Sequence, residues 1–157
     1  MAFVQVMCYL PSSSESSSFS PGGDNSWAAN MLRSLVKYVA RTRCWIGSDH
    51  GLPNLSSDPP GQPFLPSSKL TNMILLDPVD EKPDFATAYV GQTPVNYFLV
   101  VPLTLAEAQW KREAGAENSI YYIVGNKRKY PENVLVDYVI DPYRQCAVTD
   151  LACRNMF

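Results

Sequence analysis

The sequence predicts an α+β domain in which a mixed, mainly antiparallel sheet packs against helices. Three observations predict this class. A segment with helical spacing of its apolar residues follows a first β-rich segment, two later β-rich segments flank a GQTP turn, and a helix start signal comes directly after them. The 157 residues, of which 46% are hydrophobic, suit a single domain over 1–157. A chain of this size removes about two thirds of its unfolded surface from water, which is enough for a core.

The first third of the chain predicts a strand, a loop and a helix. Residues 3–10 (FVQVMCYL) combine β-branched and aromatic residues and stop at Pro11, as a half-buried strand does. Residues 12–25 are rich in Ser and Gly with little to bury, so we expect a mobile loop. From Trp27 to Thr42 the apolar residues recur at steps of three and four, which predicts an amphipathic helix.

The middle of the chain predicts a long loop followed by the sheet. Residues 47–70 are punctuated by Pro and Gly, and we expect a connection without regular structure there, of a length that is often functional. Residues 71–76, 85–90 and 95–103 have strand composition. The turn at 91–94 predicts that the last two strands form an antiparallel hairpin.

The last third begins with the T-x-x-E pattern of Thr104 to Glu107, in which each side chain bonds an exposed amide of the other residue at a helix start. It predicts a helix over 105–113. Residues 116–124 predict a second helix, and the alternation in 134–140 predicts a final strand. The tail at 143–157 has no periodicity that predicts an element.

Composition and charge exclude several kinds of partner. Thirteen basic and fifteen acidic residues give a formal charge of −2, which supplies no broad positive field for nucleic acid. The longest apolar stretch, 95–103, is far shorter than the ~20 residues that a membrane helix needs, so we expect no membrane association. The first residues lack the basic and apolar regions of a secretion signal, which makes the cytoplasm the expected location.

The cysteines and tryptophans predict structural roles. The cysteines show no C-x-x-C spacing, so we expect reduced thiols, no metal and no cofactor; they are Cys8, Cys44, Cys146 and Cys153. A metal site from the lone histidine, an aspartate and one cysteine lacks a second close-spaced ligand pair. The tryptophans Trp27, Trp45 and Trp110 are expected to anchor the core or its boundary, since each can bury about 150–250 Å².

Two motifs resemble the suppressor-of-fused domain family. The first is W-x4-L-x2-L-x2-Y-V over 27–39, and the second is G-x-D-H over 47–50. Bacterial members are similar over further segments: QVMCYLP, WIGSDHGLPN, DPPGQPFLP, MILLDP, FATAYVGQTPVNYFLVVPLT and TLAEAQWKREAG. The resemblance covers about residues 3–142 and implies a suppressor-of-fused-like fold.

The resemblance also implies how such a domain works and where this chain departs from the family. Eukaryotic relatives hold a transcription factor peptide as a strand between two domains, and their matching tyrosine and aspartate contact that peptide. Family domains usually carry sequence ahead of the QVMCYLP strand, so the resemblance implies a domain lacking its usual N-terminal part. Ser48 and Leu76 stand where the family often has polar or acidic residues.

Tyr38, Asp49, His50 and Asp77 are the candidate partner-binding residues. We expect Tyr38, Asp49 and Asp77 to form an acidic, aromatic-edged recess, because tyrosine offers rigid contact area with a polar tip. The structural alternative is that Asp49 bonds loop amides while His50 sits half buried. A hydrolytic site of Asp49, His50 and Ser48 is disfavoured, since adjacent side chains in an extended loop point apart.

These inferences predict a non-catalytic protein-binding domain and no enzyme. The resemblance to bacterial members implies a cytoplasmic immunity protein that neutralises a polymorphic toxin, so the expected partner is a toxin domain or an extended peptide. Two alternatives stay open. One is a regulatory or structural subunit that pairs through an open sheet edge, and the other is a hydrolase that uses Asp49 and His50.

Overall fold

The computed structural model describes residues 3–10, 26–78, 87–114 and 140–148. Within them the chain forms five strands and two helices: β1 Phe3–Met7, α1 Ser26–Thr42, β2 Gly51–Pro53, β3 Leu70–Leu76, β4 Thr87–Val90, β5 Thr93–Thr104 and α2 Leu105–Ala114. Strands β1, β3, β4 and β5 and both helices match predicted elements. The predicted loop over 12–25 and the helix over 116–124 lie outside the described residues, as do the tail beyond 148 and all of the predicted strand over 134–140 except its last residue, Ile140.

The five strands form one sheet in the order β1-β5-β3-β2, with β4 also paired to β5. Strand β5 runs antiparallel to β3 and β4 and parallel to β1, and β2 runs antiparallel to β3. One of the four pairings is therefore parallel. The predicted α+β class with a mixed, mainly antiparallel sheet is confirmed.

The predicted hairpin between β4 and β5 is confirmed, but its turn is shorter than predicted. Val90 pairs with Thr93, so only Gly91 and Gln92 connect the strands. Gly91 has a φ of +63°, which glycine adopts without steric penalty and which lets two residues reverse the chain. Pro94, predicted in the turn, lies in β5 opposite Tyr89.

The sheet is covered on both faces, because successive strand residues point to opposite sides. Helix α1 packs on one face, where Met31 and Leu35 join a buried cluster with Met73 and Leu75 of β3. On the other face, a second cluster unites residues of β3, β5, α2 and the 140–148 segment: Ile74, Leu76, Leu99, Val101, Leu103, Ala108 and Ala147. Burial on both faces explains why β3 and β5 read as nearly continuous apolar runs.

The start of α2 has the predicted capping geometry. The Thr104 N–H donates to Glu107 Oε2 at 2.8 Å, and the Glu107 N–H donates to Thr104 Oγ1 at 3.3 Å. The T-x-x-E prediction is confirmed, and Glu107 is 0% exposed. These reciprocal bonds satisfy two backbone amides at the change from β5 to α2.

The prediction that 47–70 lacks regular structure is wrong for four residues, since Leu70 begins β3 and three others form a strand of their own. Gly51–Pro53 forms β2, which pairs with Asn72, Met73 and Ile74 at the edge of the sheet. The sequence did not indicate this strand, because three residues are too few to show the alternation of a strand. Pro53 can lie in it because one side of an edge strand makes no hydrogen bonds to a neighbouring strand. Residues 54–69 remain without helix or strand.

Part of the predicted tail packs against the start of α2. Arg144 donates to both carboxylate oxygens of Glu107, at 2.6 and 2.7 Å, and the Ala147 N–H donates to Glu107 Oε1 at 2.8 Å. Burial, the largest single cause, raises the pKa of Glu107, but the hydrogen bonds and charge of Arg144, together with the amide bonds from Ala147 and Thr104, outweigh it and hold that pKa below its ordinary value. A buried ionised carboxylate thus ties the 144–147 segment to the start of α2.

Candidate functional site

The loop between α1 and β2 carries Asp49 and His50, two of the predicted site residues. The Asp49 N–H donates to the Leu75 carbonyl at 2.8 Å, and the Leu75 N–H donates to the His50 carbonyl at 3.0 Å. These bonds continue the β2–β3 ladder into the loop. Asp49 has a φ of +69°, a left-handed conformation that Asp adopts more readily than most residues. The loop backbone is therefore held against β3.

The His50 side chain is half buried and bonded to its own loop. Its Nδ1 lies 2.8 Å from the Gly47 amide nitrogen, whose N–H donates to it, and 3.2 Å from the Gly47 carbonyl oxygen, so this ring nitrogen faces the polar backbone groups of Gly47. In a nucleophile–histidine–carboxylate site, Nδ1 is the atom that the orienting carboxylate binds. The contact with Gly47 agrees with the structural alternative for His50 and weakens the hydrolytic one.

Trp45 was predicted to anchor the core or its boundary, and this prediction is wrong. Its side chain is 77% exposed, whereas the next residue, Ile46, is buried in the α1 cluster. Adjacent residues in an extended segment point to opposite sides, so the chain buries Ile46 and exposes Trp45. The Trp45 ring still has fixed neighbours, since it meets His50 edge-on with centroids 5.1 Å apart. It also covers Gly47, where an added Cβ would lie 2.5 Å from the ring.

Lys111 of α2 reaches the same loop, which sequence reasoning did not foresee. Its Nζ donates to the Asp49 carbonyl oxygen. Burial lowers the pKa of Lys111 below its ordinary value, and the Asp49 charge acts in the opposite direction. The ammonium group also lies close to Gly51, 3.5 Å from the position of an added Cβ. Lys111 therefore braces the loop from the far side of the sheet and offsets part of the Asp49 charge.

Asp77 lies near Asp49 along the sheet and is exposed. The Asp49 N–H is bonded to the Leu75 carbonyl, and Asp77 comes two residues after Leu75. Two residues of an extended chain span about 7 Å, so Asp77 lies close to Asp49. The structure thus brings Asp49, His50 and Asp77 to one end of β3, next to the exposed ring of Trp45.

Tyr38 has different surroundings. It is half buried on α1 and lines an open groove of about 1110 Å³ between that helix and the 54–64 loop. The described residues that line this groove do not include Asp49, His50 or Asp77. The groove that Tyr38 lines is therefore not the recess predicted from Tyr38, Asp49 and Asp77, and that recess stays a prediction.

The described residues give little support for a metal site, a reactive thiol or a membrane-spanning helix. Their His, Cys, Asp and Glu side chains form no group of three or more that suits a metal ion. Burial raises the pKa of the Cys8 thiol to about 11, so this cysteine is a weak nucleophile at neutral pH. No helix within 26–42 or 105–114 is long and apolar enough to cross a bilayer.

Comparisons with known structures show the same fold. A search of curated proteins gave no match. The Sufu–Fu complex crystal structure superposes with a TM-score of 0.61 at 15% identity, covering 91% of this chain and 54% of that one. The crystal structure of Drosophila Suppressor of Fused gives a TM-score of 0.60 at 16% identity, covering 87% of this chain and 28% of that one. The chain therefore spans about half or less of either structure.

The family of this chain follows from a family profile, because sequence identities of 15% and 16% to solved structures show only the fold. The profile described as Suppressor of fused protein (SUFU) matches residues 3–120, which is more than half of the chain. The matched range contains the whole described sheet, both helices and all four predicted site residues. This chain belongs to the Suppressor of fused family.

Proposed function

We propose that this chain is a non-catalytic protein-binding module whose partner contacts the loop-end surface, formed by Trp45, Asp49, His50 and Asp77. The observation that carries the proposal is the 77% exposure of Trp45 in a loop whose residues Asp49 and His50 are bonded to Leu75 of β3. Tryptophan is strongly enriched among the residues that dominate binding energy. Its ring is already held against His50 and Gly47, so binding loses little conformational entropy there.

The charges around Trp45 suggest the chemistry of the partner. Asp77 is exposed, and Lys111 offsets part of the Asp49 charge without removing it. A partner surface with an apolar pocket for the indole and a basic group beside it complements this arrangement. In a solved structure of the family, Sufu forms a complex with Fu, which supports a protein as the partner class.

The narrower proposal is that the partner is a polymorphic toxin and that the chain is a cytoplasmic immunity protein. Its support is the resemblance of the QVMCYLP, WIGSDHGLPN and MILLDP segments to bacterial members of the family. An immunity protein acts by covering its target, which needs a rigid recognition surface and no catalytic group. The bonding of His50 to Gly47 suits such a role.

The test is co-expression of the chain with the product of the neighbouring reading frame, followed by co-purification and titration calorimetry. The expected complex survives at micromolar concentrations. Trp45→Ala should weaken it by about 2 kcal/mol or more, roughly thirtyfold. Tyr89→Ala, at a residue that is 70% exposed on β4, is the matched control and should leave affinity unchanged. Failure to associate at micromolar concentration would contradict the toxin partner.

Asp49→Ala separates binding from catalysis. The binding proposal expects it to weaken the complex by about 1–3 kcal/mol, the usual scale for a hydrogen bond to a charged group. A hydrolase that uses Asp49 and His50 would instead keep its affinity and lose turnover. Equal loss of affinity from Trp45→Ala and Tyr89→Ala would contradict the assignment of the loop-end surface.

Pairing through an open sheet edge is the second candidate, and a specific observation favours it. On β1, Phe3 is 60% exposed and Val4 is 41% exposed, and the strand partner of β1 in the described part of the chain is β5. A partner strand added to this edge would bond the backbone of β1. Proline at position 3 or 4 should then reduce binding more than Trp45→Ala does.

A further inference from the structure

The groove between α1 and the 54–64 loop, of about 1110 Å³, has no described lining residue in common with the loop-end surface. Its floor and walls include three aromatic side chains, Trp27, Tyr38 and Phe64. Trp27 and Phe64 meet with their ring centroids 6.1 Å apart, which closes one end against the core. Prolines from the loop add rigid apolar surface on the side opposite the helix.

The helix side of this groove is basic. Arg33, Lys37 and Arg41 all line it, and their spacing of four residues places them in one row along α1. Helix α1 contains no Asp or Glu, and none of the described lining residues is acidic. Arg33 donates to Asn30 at 2.9 Å, while Lys37 and Arg41 have no hydrogen bond or ion pair with another described residue. Three aligned cations therefore face a cleft in which the described lining residues supply no carboxylate.

The loop side of the groove is held in place by the protein itself. Asn54 is 1% exposed, and its side-chain NH2 donates to the Gln62 carbonyl at 2.8 Å. Its Oδ1 accepts bonds from the Ser56 N–H and hydroxyl at 2.9 and 2.6 Å. Its carbonyl accepts the Gly61 N–H at 2.9 Å, and its own N–H donates to the Thr71 carbonyl of β3 at 2.8 Å. The buried asparagine thus closes the loop on itself and ties it to the sheet, so a ligand does not have to order it.

We propose that this groove binds an extended acidic segment of a partner protein. The row from Asn30 to Arg41 rises about 16 Å along the helix, which matches about five residues of extended chain. Carboxylates on one side of such a segment meet Arg33, Lys37 and Arg41, while alternate side chains lie on Tyr38 and the loop prolines. The proposal does not depend on the loop-end surface, because the two features share none of their residues.

Single-stranded nucleic acid is the competing ligand, because cations and aromatic rings also bind phosphates and bases. The chain as a whole argues against it. Its formal charge is −2 and its isoelectric point is about 5.3, so long-range attraction for a polyanionic backbone is absent. The groove offers a local row of three cations, which suits a short carboxylate-bearing segment.

The experiment uses fluorescence anisotropy with a labelled heptapeptide that alternates glutamate with leucine and proline. The wild-type chain should bind it, and a tenfold or greater loss is expected when the salt concentration rises from 50 to 300 mM. Peptides with glutamine or lysine in place of every glutamate should bind at least tenfold more weakly. Because these comparisons use unmodified protein, they do not depend on how variants fold.

Variants then locate the site. The triple variant Arg33→Gln, Lys37→Gln and Arg41→Gln should lose at least tenfold in affinity for the glutamate peptide. The matched control, Arg43→Gln with Arg112→Gln, removes two exposed cations outside the groove and should bind as wild type does. Trp45→Ala should also bind normally, which separates this site from the loop-end surface.

Three results would overturn the proposal. The first is equal binding of the glutamate and glutamine peptides, and the second is equal loss of affinity in the triple variant and its control. The third is tighter binding of a labelled uridine heptamer than of the glutamate peptide, with that binding lost in the triple variant. This last result would assign the groove to nucleic acid.

Discussion

Replacing Glu107 by glutamine should destabilise the fold far more than a change of one atom suggests. Four donors converge on its two carboxylate oxygens. The Thr104 N–H and one Arg144 nitrogen meet Oε2, and the Ala147 N–H and the other Arg144 nitrogen meet Oε1. Glutamine offers one acceptor oxygen, so its NH2 group would face two of these donors. The Arg144 charge would also lose its counter-charge in a part of the molecule where Glu107 is 0% exposed.

The magnitude follows from these lost partners. An orphaned buried donor costs about 1–3 kcal/mol, and breaking a buried ion pair from one side costs about 3–5 kcal/mol in total. We therefore expect Glu107→Gln to lower the free energy of unfolding by about 3–5 kcal/mol. For a domain of this size that corresponds to about 6–20 °C in Tm. Urea unfolding followed by circular dichroism gives the free energy, and a thermal scan gives the Tm.

The control is Glu113→Gln, at an exposed glutamate of the same helix, which should change stability by less than about 0.5 kcal/mol. The pH dependence is a second readout. Because the folded pKa of Glu107 lies below the ordinary 4.5, the unfolded chain takes up this proton first as the pH falls. The stability that ionised Glu107 contributes is thus present above pH 4.5 and is lost below it, and the gap between wild type and Glu107→Gln narrows there. A gap no larger than that of the control at pH 7 would refute the reasoning.

The remaining predictions concern the loop-end surface and the thiols. Gly47→Ala should displace the Trp45 ring from its contacts, because the new Cβ would lie 2.5 Å from it. The cost should stay below about 1 kcal/mol, since the ring is 77% exposed and its displacement leaves no cavity in the core; an unchanged NMR resonance of the Trp45 indole N–H would contradict this. Iodoacetamide at pH 8 should label exposed Cys44 before Cys8, whose pKa of about 11 leaves little thiolate, as mass spectrometry of the folded protein will show. The pKa of Lys111 is lowered in the folded protein, so below pH 10.5 the unfolded chain holds this proton more tightly and stability rises as the pH increases. Lys111→Met should flatten that rise, and equal slopes of wild type and variant in pH-dependent urea titrations would argue against it.

The elements that sequence alone predicted are those with a local physical cause. Helix α1 follows from apolar residues at steps of three and four, and its observed span, Ser26–Thr42, differs from the prediction by one residue at its start. The start of α2 follows from Thr104 and Glu107, whose side chains need only three residues of separation to bond each other's amides. The β4–β5 hairpin follows from Gly91, because glycine permits the tight turn.

The missed features depend on partners distant in sequence. Strand β2 exists because Gly51–Pro53 meets β3, and three residues carry no period of their own. The 144–147 segment is anchored because Arg144 reaches Glu107, which lies 37 residues earlier in the chain. Nothing in the local pattern around Arg144 indicates that its guanidinium will be opposite a buried carboxylate.

The candidate site likewise combines residues that the sequence predicted with an arrangement that only the fold determines. Sequence by itself predicted Asp49 and His50 as candidates through the G-x-D-H motif, and Asp77 as an acidic residue directly after the MILL strand. The resemblance of both motifs to the family supported Tyr38 and Asp49 as partner contacts. Tertiary structure decided that Asp49, His50 and Asp77 share one end of β3, whereas Tyr38 lines the basic groove. Local bonding and periodicity depend on near neighbours along the chain, so they are encoded in the sequence. The packing of helices and strands decides which side chains meet and whether an indole such as Trp45 faces water. No short segment of the sequence determines that packing.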